Sequence, residues 1–266
     1  MTASDLKRTP LHAVHRAAGA RMVPFAGWEM PVQYAGVIAE VRAVRHAAGL
    51  FDVSHMGEIH VSGPAALAWL NSLTTNDVAR LAPGRAQYSL LCNEAGGIVD
   101  DVLVYQLGED DYLVVVNAGN TEKVLTWFAE HHLPGVEIAD STEETSLLAL
   151  QGPAAAEVIA RLTDAPVASL RRFQFMPAKV AGIECLVSRT GYTGGDGFEL
   201  FTQEDPIPLW NALREAEAGR VQPCGLGARD VCRIEAGNVL YGHEIADDVN
   251  PVAANLMWVV KLEKGA

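Results

Sequence analysis

Apolar residues recur along this chain with two periods, one typical of amphipathic helices and the other of short strands. Helical spacing predicts helices over residues 9–19, 37–48, 63–73, 120–128, 154–162 and 208–216, and another from Leu226 onward. Apolar runs predict strands over residues 22–25, 50–61, 86–92, 98–105, 112–117, 136–138, 147–150, 183–188 and 198–201. Helices and strands therefore alternate irregularly.

Residues at the predicted helix ends carry recognisable signals. Thr9 and Asn120 are typical N-capping residues, while Gly19 and Gly49 stand where a helix would end. The glycine-rich linker 93–97 predicts a hairpin between two of the strands. Because hairpins outnumber strand–helix–strand crossovers, the pattern predicts an α+β fold with mainly antiparallel sheets. No linker separates the halves, so we expect residues 1–266 to form two interleaved subdomains.

Composition narrows the classes of function. The net charge of -13 and the absence of a basic cluster argue against a nucleic-acid partner. The polar N-terminus and the lack of eighteen consecutive apolar residues predict neither a signal peptide nor a membrane span, so we expect a cytoplasmic protein. The cysteines and histidines are not spaced as metal ligands, and we expect no metal site.

Two adjacent acidic residues, Asp100 and Asp101, interrupt the apolar strand 98–105. Strand alternation places Asp100 on the face of Ile98 and Asp101 on the face of Val99, so both carboxylates adjoin apolar surface. A buried carboxylate is costly unless it is paired, hydrogen-bonded or retained for function. The pattern leaves two readings open, a functional carboxylate or one satisfied by turn amides or an arginine.

Residues 188–200 form a glycine-rich segment that ends in another strand rather than a helix. This order predicts a hairpin loop, not a phosphate-binding loop. Tyr192 offers a stacking face for a flat ligand and Glu199 offers hydrogen-bond acceptors. A turn that binds no ligand remains the alternative.

The predicted helix from Leu226 places Arg229 and Arg233 four residues apart on one face. Such arginines bind a carboxylate ligand or form structural ion pairs, and the sequence leaves both possibilities open. His55 is either a hydrogen-bonding residue near a pocket or a satisfied core histidine. No nucleophile motif of the serine or cysteine hydrolase type is present.

Several motifs resemble, in order, those of the glycine-cleavage T-protein family of aminomethyltransferases. They are FAGWEMP at 25–31, FDVSHMGE at 51–58, GGIVDD at 96–101, LQGP at 150–153, SRTGYTG at 188–194 and GLGARD at 225–230. The resemblance spans nearly the whole chain and implies a folate-binding T-protein-like fold. It implies transfer of a methylene carbon from an aminomethyl group, carried on the lipoyl arm of H-protein, to tetrahydrofolate, with release of ammonia.

The resemblance also implies roles for individual residues in a central folate channel. It assigns Asp101 to the reactive end of the pterin as the catalytic carboxylate. The residues it assigns to folate binding are Glu199, Tyr192, Arg229, Met56 and Asn117. These types suit the ligand, because pterin edges donate to carboxylates and pterin faces pack against aromatic or sulfur groups.

The sequence departs from the family pattern in two places. Gly195 replaces a glutamate common in the glycine-rich loop, and the family's C-terminal β-barrel domain is expected to be absent from this chain. Two other functions stay open: a related folate-dependent demethylase, and a non-catalytic folate-binding protein, whose Lys-Gly-Cys motif is not found. The mitochondrial matrix would be the expected compartment if the protein is eukaryotic.

Overall fold

The computed structural model describes residues 6–217 and 219–264. The helices are α1 (His12–Ala17), α2 (Val37–His46), α3 (Ala66–Leu73), α4 (Thr121–Glu130), α5 (Ala155–Ala160), α6 (Pro206–Glu215) and α7 (Leu226–Ala236). The strands are β1 (Arg21–Phe25), β2 (Trp28–Gln33), β3 (Ala48–Asp52), β4 (Gly57–Ser62), β5 (Arg85–Cys92), β6 (Ile98–Gly108), β7 (Asp111–Val116), β8 (Glu137–Asp140), β9 (Ser146–Gln151), β10 (Phe175–Val180), β11 (Ile183–Ser188), β12 (Gly197–Thr202) and β13 (Val221–Pro223). None of the helices described is long and apolar enough to cross a bilayer.

The chain divides into two compact units, each assembled from two separate segments. The first unit comprises Met1–His55 and Glu144–Asn238. Its six-stranded sheet has the order β10-β11-β12-β9-β3-β13, in which only the β13–β3 pair is parallel. Strands β1 and β2 form a separate antiparallel hairpin. Leu150, Phe198 and Trp210 are fully or almost fully buried in the core against this sheet.

The second unit comprises Met56–Glu143 and Val239–Ala266. Its five-stranded sheet has the order β5-β6-β7-β4-β8, and every pairing is antiparallel. Trp69 of α3 and Phe128 of α4 belong to the core on one face, with ring centroids 4.9 Å apart. A smaller apolar cluster includes Leu90 of β5 and Val259. The α+β fold with mainly antiparallel sheets is therefore confirmed.

Two predicted helix caps are wrong, because both side chains bind buried carboxylates instead. Helix α1 begins at His12 after Leu11, and the Thr9 hydroxyl donates to Asp52 Oδ2 at 2.7 Å. Asn120 does precede α4, but its amide makes no cap and donates to Asp100 Oδ1 at 2.6 Å. A hydrogen bond to a charged acceptor is stronger than one to a neutral group, which favours these partners.

Gly49 does not end a helix, contrary to the prediction. Helix α2 ends at His46, and Gly49 lies within β3, where an added Cβ would come within 2.5 Å of Val44 and 2.8 Å of Cys224. The predicted strand 50–61 is likewise two strands, β3 and β4, which belong to different sheets. Close packing against Val44 and Cys224 explains why glycine occupies position 49, and hydrophobic periodicity does not reveal such packing.

A β-bulge changes the predicted faces of β6. Leu91 pairs with Asp100 but Cys92 pairs with Ile98, so Val99 is the extra residue. Val99 consequently packs in the α3–α4 core together with Val102, while Ile98 packs in the cluster of Leu90. The prediction that Ile98 shares a face with Asp100 and Val99 shares one with Asp101 is therefore wrong. The bulge lies immediately before the acidic pair.

Candidate functional site

The carboxylate of Asp100 is a structural acceptor inside the second unit. It is fully buried, and Oδ1 accepts from the side-chain amides of Asn117 at 2.8 Å and Asn120 at 2.6 Å. Oδ2 accepts from the main-chain N–H of Asn117 at 3.0 Å. Asp100 thereby ties β6 to the turn between β7 and α4, which is the role of a satisfied buried carboxylate.

Asp101 points to the opposite face of the sheet and has a different set of donors. Its Oδ2 accepts from the Tyr88 hydroxyl at 2.9 Å, and its Oδ1 accepts from the Asn117 amide at 2.6 Å. Tyr88 also stacks on Trp258, with ring centroids 5.6 Å apart. One donor on each oxygen fixes the carboxylate and leaves further lone pairs for a ligand.

Burial dominates the electrostatics of this acidic pair. Desolvation raises the pKa of Asp100, and the neighbouring charge of Asp101 raises it further. Desolvation also raises the pKa of Asp101, while the hydrogen bonds from Tyr88 and Asn117 oppose that shift. Two adjacent carboxylates with raised pKa values titrate as a coupled pair, an arrangement that is common at functional sites.

Three of the residues singled out from the sequence lie at the same end of adjacent strands in the second unit. Asp101 is on β6, Asn117 follows β7, and Met56 precedes β4, whose Gly57 pairs with Val116. Asn117 contacts Asp101 directly, and Met56 is half-buried. The sheet thus brings a carboxylate, an amide and a thioether together at the same end of its three central strands.

The first unit contains the other three residues that the sequence analysis singled out for folate binding, Glu199, Tyr192 and Arg229. Glu199 on β12 is buried, and its Oε2 accepts from the Thr190 hydroxyl at 2.5 Å. The guanidinium carbon of Arg229, on α7, lies 4.6 Å from the centroid of the Tyr192 ring. Burial raises the pKa of Glu199 and lowers that of Arg229, and the attraction between their charges opposes both shifts. The predicted hairpin loop and the predicted helix are both confirmed as the elements that carry these residues.

The two arginines of α7 differ in their partners. Arg233 binds Asp230 at 2.9 Å and donates to the Asn238 carbonyl at 3.2 Å, so it is a structural residue. The guanidinium group of Arg229 makes no hydrogen bond or ion pair with another described residue. A half-buried guanidinium of this kind can bind an anionic ligand group.

Sequence reasoning missed Tyr88 and Thr190, whose hydroxyls bind the two key carboxylates. The hairpin register could have revealed Tyr88, because it lies on β5 diagonally opposite Asp101. Thr190 lies within the glycine-rich segment, but nothing in its pattern distinguishes it from a turn residue. Among residues 6–217 and 219–264, no three His, Cys, Asp or Glu side chains are grouped to hold a metal ion.

The chain is similar in sequence to a known family of proteins. Residues 11–264 match the family model described as the GCVT N-terminal domain. The chain is 56% identical to the aminomethyltransferase of Geobacillus kaustophilus, over 97% of this chain and 72% of that protein. It is 54% identical to the aminomethyltransferase of Desulforamulus reducens, over 98% of this chain and 72% of that protein.

The fold is also similar to that of solved structures. The glycine cleavage system aminomethyltransferase T of Bartonella henselae superposes with a TM-score of 0.88 at 36% identity, covering 97% of this chain and 70% of that one. Heterotetrameric sarcosine oxidase of Corynebacterium shares the fold alone, with a TM-score of 0.50 at 19% identity over 68% of this chain and 90% of that one. The sequence matches and the close superposition place this chain in the family of aminomethyltransferases, the T-proteins of the glycine cleavage system.

Proposed function

We propose that this chain transfers the methylene carbon of an aminomethyl group, carried on the lipoyl arm of H-protein, to tetrahydrofolate. In the overall reaction the carbon loses its bonds to sulfur and to the amine nitrogen and gains bonds to N5 and N10 of the folate. The two protons displaced from N5 and N10 balance the thiol and the ammonium ion that are released. The product is 5,10-methylenetetrahydrofolate.

The observation that carries this proposal is the hydrogen-bonding of Asp101. Tyr88 and Asn117 each donate to one of its oxygens, so the carboxylate is held in place before any ligand binds. A fixed carboxylate stabilises positive charge that develops on an aminomethyl carbon when the amine leaves. We assign Asp101 this role, together with orientation of the pterin at its reactive end.

Folate binding is proposed for five further residues, each for a chemical reason. Carboxylate oxygens of Glu199 suit the N–H groups of a pterin edge, and Tyr192 offers an aromatic face. Arg229, to which no carboxylate of the described residues is hydrogen-bonded, suits an anionic group of the folate. Met56 supplies an apolar, polarisable contact. Asn117 supplies its side-chain carbonyl oxygen as an acceptor, because its amide N–H groups already donate to Asp100 and Asp101.

The test is ammonia release from aminomethylated H-protein, measured with and without tetrahydrofolate. We expect release to be stimulated by tetrahydrofolate and to yield 5,10-methylenetetrahydrofolate in equal amount. The Asp101→Asn variant serves as the matched control, since it should bind tetrahydrofolate without the stimulation. Binding of folate by the wild-type protein without any stimulated release would instead favour a non-catalytic folate-binding protein.

A further inference from the structure

Gln151, in the LQGP segment at the end of β9, is a fully buried residue that the proposed folate contacts leave unused. Its side-chain amide binds the glycine-rich loop, which comprises residues 189–196 between β11 and β12. Nε2 donates to the Thr190 carbonyl at 3.1 Å, and Oε1 accepts from the Thr193 hydroxyl at 2.9 Å. One side chain therefore ties the loop to the sheet at two points, on either side of Tyr192.

The same amide explains two glycines in this part of the chain. An added Cβ at Gly191 would overlap Oε1 of Gln151, and one at Gly197 would come within 2.5 Å of its Nε2. Neither glycine has a positive φ, so conformational freedom does not account for them. Gly197 also pairs directly with Gln151 across β12 and β9. Close packing against Gln151 therefore requires glycine at both positions.

Two further side chains donate to the main chain of the glycine-rich loop. Asn238, which follows α7, donates to the Tyr192 carbonyl at 2.9 Å, and Arg45 of α2 donates to the Thr193 carbonyl at 2.7 Å. Of the three donors, Gln151 alone is fully buried. Glycine loses more backbone freedom on ordering than other residues, and these hydrogen bonds offset that cost.

The anchored loop holds in place two residues that are proposed to bind the pterin. Thr190, whose carbonyl accepts from Gln151, donates its hydroxyl to Glu199 Oε2 at 2.5 Å. Tyr192 lies between the two loop residues that Gln151 binds. The carboxylate and the aromatic ring are thus connected to one buried amide through short chains of hydrogen bonds.

From these contacts we infer that Gln151 is a positioning residue of the folate site, which holds the glycine-rich loop in the conformation that binds the pterin. The inference rests on the proposed function, in which Tyr192 and Glu199 are pterin contacts. Gln151 acts through Thr190 and Thr193 and does not touch the ligand. If the loop leaves the binding conformation for part of the time, the apparent affinity falls in proportion to the fraction of protein that remains competent.

The first experiment compares Thr193→Val with Thr193→Ser by equilibrium binding of tetrahydrofolate. Thr193→Val removes the hydroxyl that donates to Gln151, and it should weaken binding roughly 5- to 10-fold. Thr193→Ser keeps the hydroxyl and should bind within about twofold of wild type. Thr202→Val is the matched control, because it removes a buried hydroxyl that donates to the Glu184 carbonyl at the opposite end of β12. It should lower the unfolding midpoint without changing the affinity.

Gln151→Met removes both hydrogen bonds and keeps a side chain of similar length. It should weaken tetrahydrofolate binding roughly 10- to 100-fold, and adding Thr193→Val to it should cause little further loss, since the shared hydrogen bond is already absent. KM for tetrahydrofolate should rise by the same factor, whereas kcat at saturating tetrahydrofolate should stay within about twofold of wild type. The reason is that bound ligand selects the competent loop conformation.

Amide hydrogen exchange of the ligand-free protein gives a second readout. Exchange over residues 189–196 should be faster than wild type in Gln151→Met and in Thr193→Val, and unchanged in Thr202→Val. This measurement reports on the loop itself and needs no folate.

Specific results would overturn the inference. They are wild-type affinity in Thr193→Val, equal losses in Thr193→Val and Thr193→Ser, weakened binding in Thr202→Val, or wild-type exchange of the loop in Gln151→Met. The failure of the proposed function looks different, because the wild-type protein itself would then show no tetrahydrofolate-stimulated release of ammonia.

Discussion

The side-chain amide of Asn117 donates its shortest hydrogen bond, 2.6 Å, to the carboxylate of Asp101. The same nitrogen also donates to Asp100, at 2.8 Å, so one amide spans both carboxylates. The other side-chain donors differ between the two carboxylates, since Asn120 donates to Asp100 and Tyr88 donates to Asp101. This division makes different predictions for the two acidic residues.

Asp101→Asn should lose turnover by a factor of about 100 to 10,000 and retain affinity for tetrahydrofolate. The fold should tolerate the change, because the Tyr88 hydroxyl can accept from the new amide as readily as it donates to the carboxylate. Steady-state ammonia release and equilibrium binding of tetrahydrofolate measure the two effects. Tyr88→Phe, which leaves Asp101 intact, should reduce turnover less. A wild-type rate in Asp101→Asn would refute the catalytic assignment.

Asp100→Asn should instead lower stability, by about 1–3 kcal/mol of unfolding free energy. Both carboxylate oxygens accept from N–H donors, so an amide NH₂ group in either orientation would face a donor of Asn117 or Asn120. Urea unfolding of the two aspartate variants under the same conditions provides the measurement. The assignment of Asp100 as the structural member fails if Asp101→Asn is the less stable of the two.

Glu58→Gln should stabilise the protein increasingly as pH rises. Glu58 is fully buried, neither of its carboxyl oxygens has a hydrogen-bond partner among the described residues, and burial raises its pKa well above the ordinary value of 4.5. Above pH 4.5 the unfolded chain releases a proton that the folded chain keeps, so this residue's contribution to wild-type stability falls until the folded pKa is reached.

The difference in unfolding free energy between Glu58→Gln and wild type should grow by about 1.4 kcal/mol per pH unit, between the unfolded and the folded pKa of Glu58. Urea unfolding at a series of pH values would measure this difference. The series should run from about pH 4 to about pH 8, because carboxyl and histidine groups titrate over roughly that range. A difference that stays constant with pH would mean that the folded and unfolded chains ionise Glu58 alike.

His15→Leu should destabilise the first unit by about 3–5 kcal/mol, because it leaves the buried carboxylate of Asp52 without the imidazole that pairs with it. His15 Nε2 lies 2.8 Å from Asp52 Oδ2, and the same oxygen accepts from Thr9 at 2.7 Å. The matched variant Thr9→Val removes only a hydrogen bond and should cost less, about 1.5–3 kcal/mol. Chemical denaturation at pH 7 ranks the two, and equal losses would show that the histidine acts as a neutral donor only.

The contribution of Asp52 also has a pH dependence of opposite sign to that of Glu58. Hydrogen bonds and the charge of His15 outweigh desolvation and lower the pKa of Asp52 below 3.8. Its stabilisation is therefore present above pH 3.8 and is lost as pH falls through the folded pKa. Acid unfolding of His15→Leu should accordingly begin at a higher pH than that of wild type.

Gly97→Ala should be more damaging than Gly96→Ala, although the two residues are adjacent in one turn. A Cβ at Gly97 would overlap the carbonyl oxygen of Asp247. A Cβ at Gly96 would have no atom of the described, non-neighbouring residues within 4 Å, and only the φ of +83° is unfavourable there. The Gly96 variant should cost about 1 kcal/mol of unfolding free energy, the strain of a left-handed non-glycine residue. Similar unfolding midpoints for the two variants would contradict this account.

The sequence pattern was sufficient to predict most elements and the fold class, because burial of one face imposes a period on each helix and strand. The hairpin from β5 to β6 and helix α7 are examples, as is the placement of Asp101 in a buried strand. Strands β2, β10 and β13 were not predicted. A proline stands in each of them, at Pro31, Pro177 and Pro223, which weakens the local strand signal.

What the sequence determined by itself, then, was the local chemistry: an acidic pair in an apolar strand, a glycine-rich hairpin and a helix with two arginines. Only the tertiary structure decided the partners. In the structure Tyr88 and Asn117 donate to Asp101, and Asp230 pairs with Arg233, whereas the guanidinium of Arg229 has no ion pair among the described residues. Val99 forms a bulge. The physical reason is that hydrogen bonds across strands depend on register and on contacts between residues distant in sequence. The periodicity of apolar residues along the chain carries no information about either.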